Sequence, residues 1–379
     1  MKNLSKSFLL FLILSFSSAG CYSEQNKNIS QASVKTIKLS FVGDLMNHTN
    51  IFEFARISSD TFDFNPYFEF VKSEISSADF AIGNLETVVY GEGKKPNGYP
   101  MFNAPIEYLE ALKSAGFDIL ATANNHIADF GNKGVLNTLL NISDKGLEYV
   151  GTNLTSEESK KIKIFKKNGI SFALLNYTYN LNRKYSFSDE YSVNLIDTTK
   201  IKKDLEKAKN EKPDFIVIYY HFGDEYKNYP NSFQKKIVDF SIKNGADIIV
   251  GSHPHVLQPF EVRIDSFKQI QNIIAYSLGN FISNQRQKYT DGSGILNIFL
   301  SKSNETSKID SVEFISTWVF RGKINEKNTY RILPADFENY AANNFLTYVD
   351  KEAMQKSIEN NKKILNKSIG IKKDYLKIK

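Results

Sequence analysis

The sequence predicts an α/β fold, and three observations carry that reading. Short apolar runs rich in Ile, Val, Leu and Phe recur along the chain. Amphipathic segments of helical length alternate with them. Each run stops abruptly in Gly, Asn, Asp or His. Such runs, flanked by helical segments, read as largely buried strands of βα units.

The same grammar appears four times: a small residue or Pro, an Asp, an apolar run, a polar cluster. The first copy is Ala78-Asp79, then Phe80–Ile82, ending in Gly83-Asn84-Leu85-Glu86. The second is Gly116-Phe117-Asp118, then Ile119-Leu120, leading to Asn124-Asn125-His126. Pro213-Asp214 precedes Phe215–Tyr220, which ends at His221, and Gly245-Ala246-Asp247 precedes Ile248–Val250, which ends in Gly251-Ser252-His253-Pro254-His255. A fifth strand, Ile37–Val42, ends in Gly43-Asp44, and further strands are expected at Ile170–Tyr177, Ile273–Tyr276 and Gly294–Leu300. Between them, Pro66 opens a helix running to about Ser76. Asn103 caps a helix that has Pro105 in its first turn and stops at Gly116. Gly134–Lys145 ends at Gly146, and Ser232–Asn244 ends at Gly245. No tandem repeat of fixed period appears.

Composition narrows the class. The chain has 379 residues, 41% of them hydrophobic, with 29 Phe and 20 Tyr, which is not the make-up of a disordered protein. A net charge of +6 with no dense Arg patch gives no ground for a nucleic-acid partner.

The first residues read as a secretory leader: Lys2 and Lys6, an apolar run Phe8–Leu14, then small residues to Gly20. The run is too short to span a bilayer as a helix. Ser18-Ala19-Gly20-Cys21 resembles a bacterial lipobox, with Ser18 where Leu is usual. The resemblance implies cleavage before Cys21 and its lipidation, which accounts for where the single cysteine sits. The expected organisation is a signal peptide at 1–20, a flexible tether at 21–35, one domain at 36–335 and a basic, helical, peripheral extension at 336–379. The expected location is the bacterial cell envelope, as an exported lipoprotein.

The chemistry concentrates at strand ends. All five histidines, His48, His126, His221, His253 and His255, follow a strand, in the company of Asp44, Glu86 and Asn125. Sites of open α/β folds form at the carboxyl ends of strands. Imidazole with carboxylate suits Zn, Mn or Fe. A two-metal site with ions ~3.5–4 Å apart and a single metal with an open position both satisfy the residues. His253 and His255, two apart, can serve one site only if the chain turns, and Pro254 makes that turn plausible. Asn84 and Asn124 are read as chain-turning residues. Gly43, Gly83 and Gly251 are read as letting backbone approach the ions or as turn glycines. The Tyr-rich stretch Tyr177–Tyr191 is read as packing first and as the flank of a substrate groove second.

Seven segments, in order across roughly residues 37–300, resemble the CapA family of poly-γ-glutamate capsule biosynthesis proteins. They are Phe41–Met46, Ala81–Thr87, Tyr99–Pro105, Thr122–His126, His221–Tyr226, Gly251–Gln258 and Tyr276–Phe281. The resemblance implies a calcineurin-like, metallophosphoesterase-like β-sandwich flanked by helices, with ligands at the C-terminal ends of strands and two divalent ions. By position it assigns Asp44, Glu86 as bridge, Asn125, His221, His253 and His255 to metal, with His48 doubtful. It makes His126 the residue that protonates a leaving group, with Asp129 orienting it, and leaves Glu225 and Asn280 to orient ligands. Three departures stand out. Asp44-x-x-x-His48 replaces Asp-x-His, the bridge is Glu rather than Asp, and Ile127 follows the Asn-His pair where an acidic residue is usual. The implied function is a metal-dependent hydrolase of a phosphoester or polymer amide in surface-polymer synthesis. The alternative is a non-catalytic, metal-stabilised lipoprotein that binds the polymer or assembles a membrane synthase.

Overall fold

The computed structural model describes residues 34–182, 192–304, 306–337, 343–368 and 376–379. The expected leader, Cys21, nearly all of the tether and the second half of the Tyr-rich stretch lie outside them. Fifteen strands among the described residues form one sheet. They are β1 (Lys35–Met46), β2 (Phe80–Glu86), β3 (Ile119–Ala121), β4 (Glu148–Val150), β5 (Lys163–Lys167), β6 (Ile170–Thr178), β7 (Phe215–His221) and β8 (Ile248–Ser252), then β9 (Phe260–Ile264), β10 (Ile270–Ala275), β11 (Asn280–Ile282), β12 (Gly292–Ser303), β13 (Thr306–Ile324), β14 (Lys327–Pro334) and β15 (Leu376–Ile378). The order along the sheet is β4-β3-β2-β1-β12-β13-β10-β8-β7-β6-β5. β1 to β4 form a parallel block, and β6, β7, β8 and β10 form another. The 19-residue β13 joins the two, pairing with β12 and, at Ile309, with β10.

That continuous sheet folds over on itself as a sandwich. Leu39, Phe41 and Ile82 of the first block share one buried cluster with Phe172, Val217, Tyr219 and Val250 of the second. Across the layers, the Tyr219 hydroxyl donates to the Val42 carbonyl at 2.7 Å. The helices cover the outer faces: α1 (Thr49–Ala55), α2 (Asn65–Phe68), α3 (Lys72–Ser76), α4 (Glu107–Ala115) and α5 (Gly131–Asp144) on the first block, α6 (Thr198–Asn210) and α7 (Ser232–Lys243) on the second. Strand periodicity sends alternate residues to the two sides: Val217 and Tyr219 go inward, while Ile218 and Tyr220 meet Ile201, Leu205 and Ile237 outside.

The repeated Asp has a structural explanation. Asp79, Asp118, Asp214 and Asp247 each give a backbone N–H to a carbonyl of an adjacent strand, those of Lys38, Ala81, Ser171 and Ile216. Each side chain takes the backbone N–H of that same residue, at 2.8, 2.9, 2.8 and 2.7 Å. A carboxylate thus sets the register where each strand enters.

Three sequence expectations change. The helix from Pro66 is broken, because the Val71 N–H bonds to Phe68 three residues back and tightens the turn between α2 and α3. α4 begins at Glu107 with Ile106 as its cap. Asn103 pins a loop instead, accepting from Tyr90 N and donating to Lys95 O, both at 2.9 Å. The C-terminal segment is helical, as α8 (Tyr348–Leu365), but it is not peripheral. Met354 and Ile358 are buried, Ile364 and Leu365 join the inter-layer cluster, and β15 pairs in parallel with β13. Residues 34–379 make one compact unit, and no helix among the described residues is long and apolar enough to cross a membrane.

Burial raises the Asp247 carboxyl from its ordinary 3.8 to about 6. A folded-state pKa above the unfolded one gives stability that is complete below the lower value and is lost as pH climbs through the upper, on the order of 2 kcal/mol. Denaturant unfolding at pH 4 and pH 8 should therefore show Asp247→Asn losing less stability over that range than the parent. Parallel losses in the two proteins contradict the assignment.

Candidate metal centre

Strand ends from both layers deliver polar side chains to one place. At the end of β1 the register against β2 shifts between Val42 and Asp44. Gly43 permits the chain to pass there, since a Cβ would fall 1.8 Å from the Gly279 oxygen, which also accepts the Asp44 N–H at 2.9 Å. Gly251 does the same on β8, where a Cβ would lie 2.1 Å from the Tyr276 oxygen. These two glycines therefore admit neighbouring backbone, not ions. A Cβ on Gly83 would strike the Leu45 side chain.

Asp44 is fully buried. Its Oδ1 accepts from Asn84 Nδ2 at 2.8 Å, and its Oδ2 lies 3.1 Å from His255 Nδ1. Burial pushes this carboxyl up, but the hydrogen bond and charge of His255, helped by His221 and Asn84, hold it well below the usual carboxylate range. Glu86, also fully buried, is treated differently by its surroundings. Neither of its oxygens has a hydrogen-bond partner. Its Oε1 lies 3.8 Å from His221 Nε2 and 3.9 Å from His255 Nε2. Burial first, then the charge of Asp44, pushes its carboxyl well above the ordinary 4.5.

Two of the imidazoles, His221 and His253, are held neutral. Burial drives His221 well below its ordinary value and His253 down to about 3. His221 Nδ1 sits 3.1 Å from Ser252 Oγ and 3.2 Å from Asn84 Nδ2, while its Nε2 is 2.8 Å from Asn125 Oδ1. His255 Nδ1 is set between Asp44 Oδ2 and Asn280 Oδ1, the latter at 3.0 Å, which turns Nε2 toward Glu86. His253 Nδ1 is buried without a partner. The turn that brings His253 and His255 together is made by the histidines themselves. Both have left-handed backbone, φ 97° and 59°, and their ring centroids lie 5.8 Å apart. Such backbone in a non-glycine residue costs of order 1–3 kcal/mol and persists where surroundings enforce it.

Among the described residues, three groups of ligand atoms lie within 4.8 Å of one another: Glu86–His221–His253, Asp44–Glu86–His255 and Glu225–His253–His255. Glu86 is common to the first two, the position of a bridge. A buried carboxylate without a donor, beside the neutral imidazoles of His221 and His253, leaves negative charge and lone pairs uncompensated, so divalent cations fit this donor set. Asn125 directs its Oδ1 into the same space.

Other residues shape the approach. His126 Nδ1 is 2.8 Å from Asp129 Oδ2, which also accepts from Phe102 N at 2.7 Å. The Asn182 amide lies 3.1 Å from His126 Nε2. His48 stands apart from the three ligand groups. Its ring meets Phe102 edge-on, and its Nδ1 accepts from Asn284 N at 3.3 Å. Burial, then the charges of His255, His126 and Arg286, lowers it to about 3. A cleft of about 450 Å³ runs over His126, His255 and Glu225, walled by Tyr99, Tyr226 and residues 284–287. Of the Tyr-rich stretch, Tyr177 is core, stacked on Tyr220, whereas the Tyr179 ring lies 4.6 Å from His253.

The structure places Asp44, Glu86, Asn125, His221, His253 and His255 as neighbours, with Asn280 beside His255. Glu225, expected only to orient ligands, has its carboxyl within ligand spacing of His253 and His255. Asn84 was taken for a turn but lies within β2 and ties Asp44 to His221. Its spacing of two from Glu86 on one strand was the signal, since such residues share a face. Asn124 anchors His126 N through its Oδ1 at 3.1 Å. Ser252 and Asn182 carried no signal of their roles.

Residues 38–285 match the family described as bacterial capsule synthesis protein PGA_cap. The capsule biosynthesis protein CapA of Bacillus anthracis is 33% identical over 285 residues, 73% of this chain and 66% of that protein, just under two thirds of the relative's length. The PGA biosynthesis protein CapA of Bacillus subtilis is 28% identical over 339 residues, 88% of this chain and 86% of that protein. Similar solved structures include a putative 5'-nucleotidase from Staphylococcus aureus, 14% identical at TM-score 0.46, covering 86% of this chain and 58% of that one. A calcineurin-like phosphoesterase from Bacillus subtilis is 13% identical at TM-score 0.44, covering 88% of this chain and 100% of that one.

A raised carboxyl pKa places the stability contribution of Glu86 below its ordinary 4.5 and removes it as pH rises. In chelator at pH 8, calorimetry should find Glu86→Gln more stable than the parent by about 1–3 kcal/mol, with added Mn²⁺ reversing the order. A parent that is the more stable protein in chelator is the opposing result.

Proposed function

The chain belongs to the CapA family of bacterial capsule synthesis proteins, and on that premise we propose that it is a metal-dependent hydrolase of surface-polymer synthesis, acting at the cell envelope. The single observation that carries the catalytic half is Glu86, a buried carboxylate without a donor between two overlapping sets of ligand atoms. Asp44 and His255 would hold one divalent ion and His221, His253 and Asn125 the other, with Glu86 shared and Glu225 on the open side. Ions so held supply Lewis acidity, polarising a phosphoryl or carbonyl oxygen and drawing down the pKa of water.

The chain's own groups do the rest. Ser252 Oγ can accept the Nδ1–H of His221 and Asn280 Oδ1 that of His255, which aims each Nε2 lone pair, as partners behind metal-binding histidines do. Asp129 takes His126 Nδ1–H and leaves Nε2 turned toward the Asn182 amide. In this reading a substrate displaces that amide, and the imidazolium form of His126, its Nδ1–H held by Asp129, hands its Nε2 proton to the departing atom. Phe102, with its ring centroid 4.5 Å from that of His126, shields it from bulk water.

The relatives' names, a capsule and a PGA biosynthesis protein, support poly-γ-glutamate or a related surface polymer as the substrate's setting. Export and a lipid on Cys21 complete the reading. Intact mass of the mature protein should show a diacylglyceryl-modified N-terminal Cys21, and a soluble form with a free thiol there ends that part.

The engagement of His126 by Asn182 favours a second reading, in which the ions staple a polymer-binding or synthase-assembly protein that performs no chemistry. A panel of phosphoesters and γ-glutamyl amides, with and without chelator, separates the two. Hydrolysis requires that Asp44→Ala and His255→Ala each abolish turnover, and that His126→Ala lose about 10²–10⁴-fold with bound metal retained. Turnover that persists in metal-free protein refutes it. Full complementation of a surface-polymer defect by His126→Ala establishes the second reading.

A further inference from the structure

The wall of the cleft carries a feature that metal binding does not use. Of the side chains lining the cleft, Arg286 is the one Lys or Arg. Its guanidinium lies 5.9 Å from the ring centroid of Tyr330, and its Nη1 donates to the Gln285 carbonyl at 3.1 Å. The Tyr330 hydroxyl donates to Asn284 Oδ1 at 2.6 Å, tying β14 to the cleft wall. Directly across the β13–β14 ladder, Arg321 is the register partner of Tyr330. The Tyr330 ring packs 5.6 Å from that of Phe54, and the Arg321 guanidinium lies 5.9 Å from the Phe54 centroid. Arg286, Tyr330, Phe54 and Arg321 therefore form one continuous row that starts in the cleft.

Both arginines are exposed. Arg56, Arg263 and Arg331 sit in ion pairs, but neither Arg286 nor Arg321 pairs with a carboxylate among the described residues. An arginine supported by an aromatic face keeps N–H groups for a ligand: Arg286 gives Nη1 to the Gln285 carbonyl and retains its Nε–Nη2 edge, which matches a carboxylate in bidentate geometry. A single anionic group would need one such fork. Two of them, set on a shared pair of rings, suit a chain with repeated negative charge.

We propose that Arg286 and Arg321 form a track for the carboxylates of an extended polyanionic substrate, delivering it to the cleft beside His126 and His255. The inference rests on the reading of the cleft as the reacting site for what happens at its inner end, while the track itself stands on the row of rings and guanidinium groups.

Binding of a fluorescent poly-γ-glutamate oligomer, measured by anisotropy on the full mature chain, tests it, with neutral polyglutamine of equal length as control. The parent should bind the acidic polymer and not the neutral one. Arg286→Ala and Arg321→Ala should each weaken binding about tenfold, and the double variant about a hundredfold. The double Arg→Lys variant should fall between, since it keeps charge and loses the fork. Melting temperature and metal content should match the parent, which keeps misfolding out of the result. A parent that ignores the acidic polymer, equal binding of the neutral one, or a double Ala variant that binds like the parent overturns the track. Arginine-dependent binding in a protein that takes up no metal supports the track and defeats the metal reading, so the two fail separately.

Discussion

A carboxylate removed from water must find either donors or a positive charge, and Glu86 has no donors. Its two oxygens are sealed beside Asp44, and Oε1 faces Nε2 of His255 and of His221, a ring that burial keeps neutral. Without compensation, the chain's remedy is to take up a proton there, which is why its carboxyl is pushed so far above the ordinary range. Ser252 and Asn280 are then understandable as acceptors that turn the Nε2 lone pairs of His221 and His255 the same way. The local structure is thus organised around charge that the polypeptide does not itself supply.

Holding such a group costs stability, and the rest of the fold resists the cost by rigid construction. The two layers are one sheet, continuous through β13, so the strand ends that carry Asp44 and His221 do not slide independently. Gly43 and Gly251 let β1 and β8 press against the 276–279 backbone, where any side chain would collide. The Asp clasp at each strand entrance sets register at the opposite end. Strained backbone at His253 and His255 is tolerated because the buried partners around it leave no alternative.

Much of this was legible in sequence because the polar stops after apolar runs are the strand ends themselves. The positions of Asp44, Glu86, His221, His253 and His255 followed from that one pattern. Asn84 was misjudged because Asn so often turns a chain, although its spacing from Glu86 placed it on the same face. The left-handed backbone of the two histidines has no sequence mark, since Pro254 alone suggests a turn without its geometry. The recurring Asp was visible as a pattern, but its purpose, bonding to a strand that is adjacent only after folding, was not. The C-terminal segment misled for a physical reason: a Lys-rich tail looks solvated, yet Leu376 and every third or fourth residue of α8 supply buried surface.

The central claim is that Glu86 bridges two cations. Anomalous diffraction from crystals of protein purified without chelator and supplied with Mn²⁺ tests it most directly. The account predicts two peaks about 3.5–4 Å apart, with Glu86 contacting both. A single peak away from Glu86, or none at all under saturating metal, would contradict it.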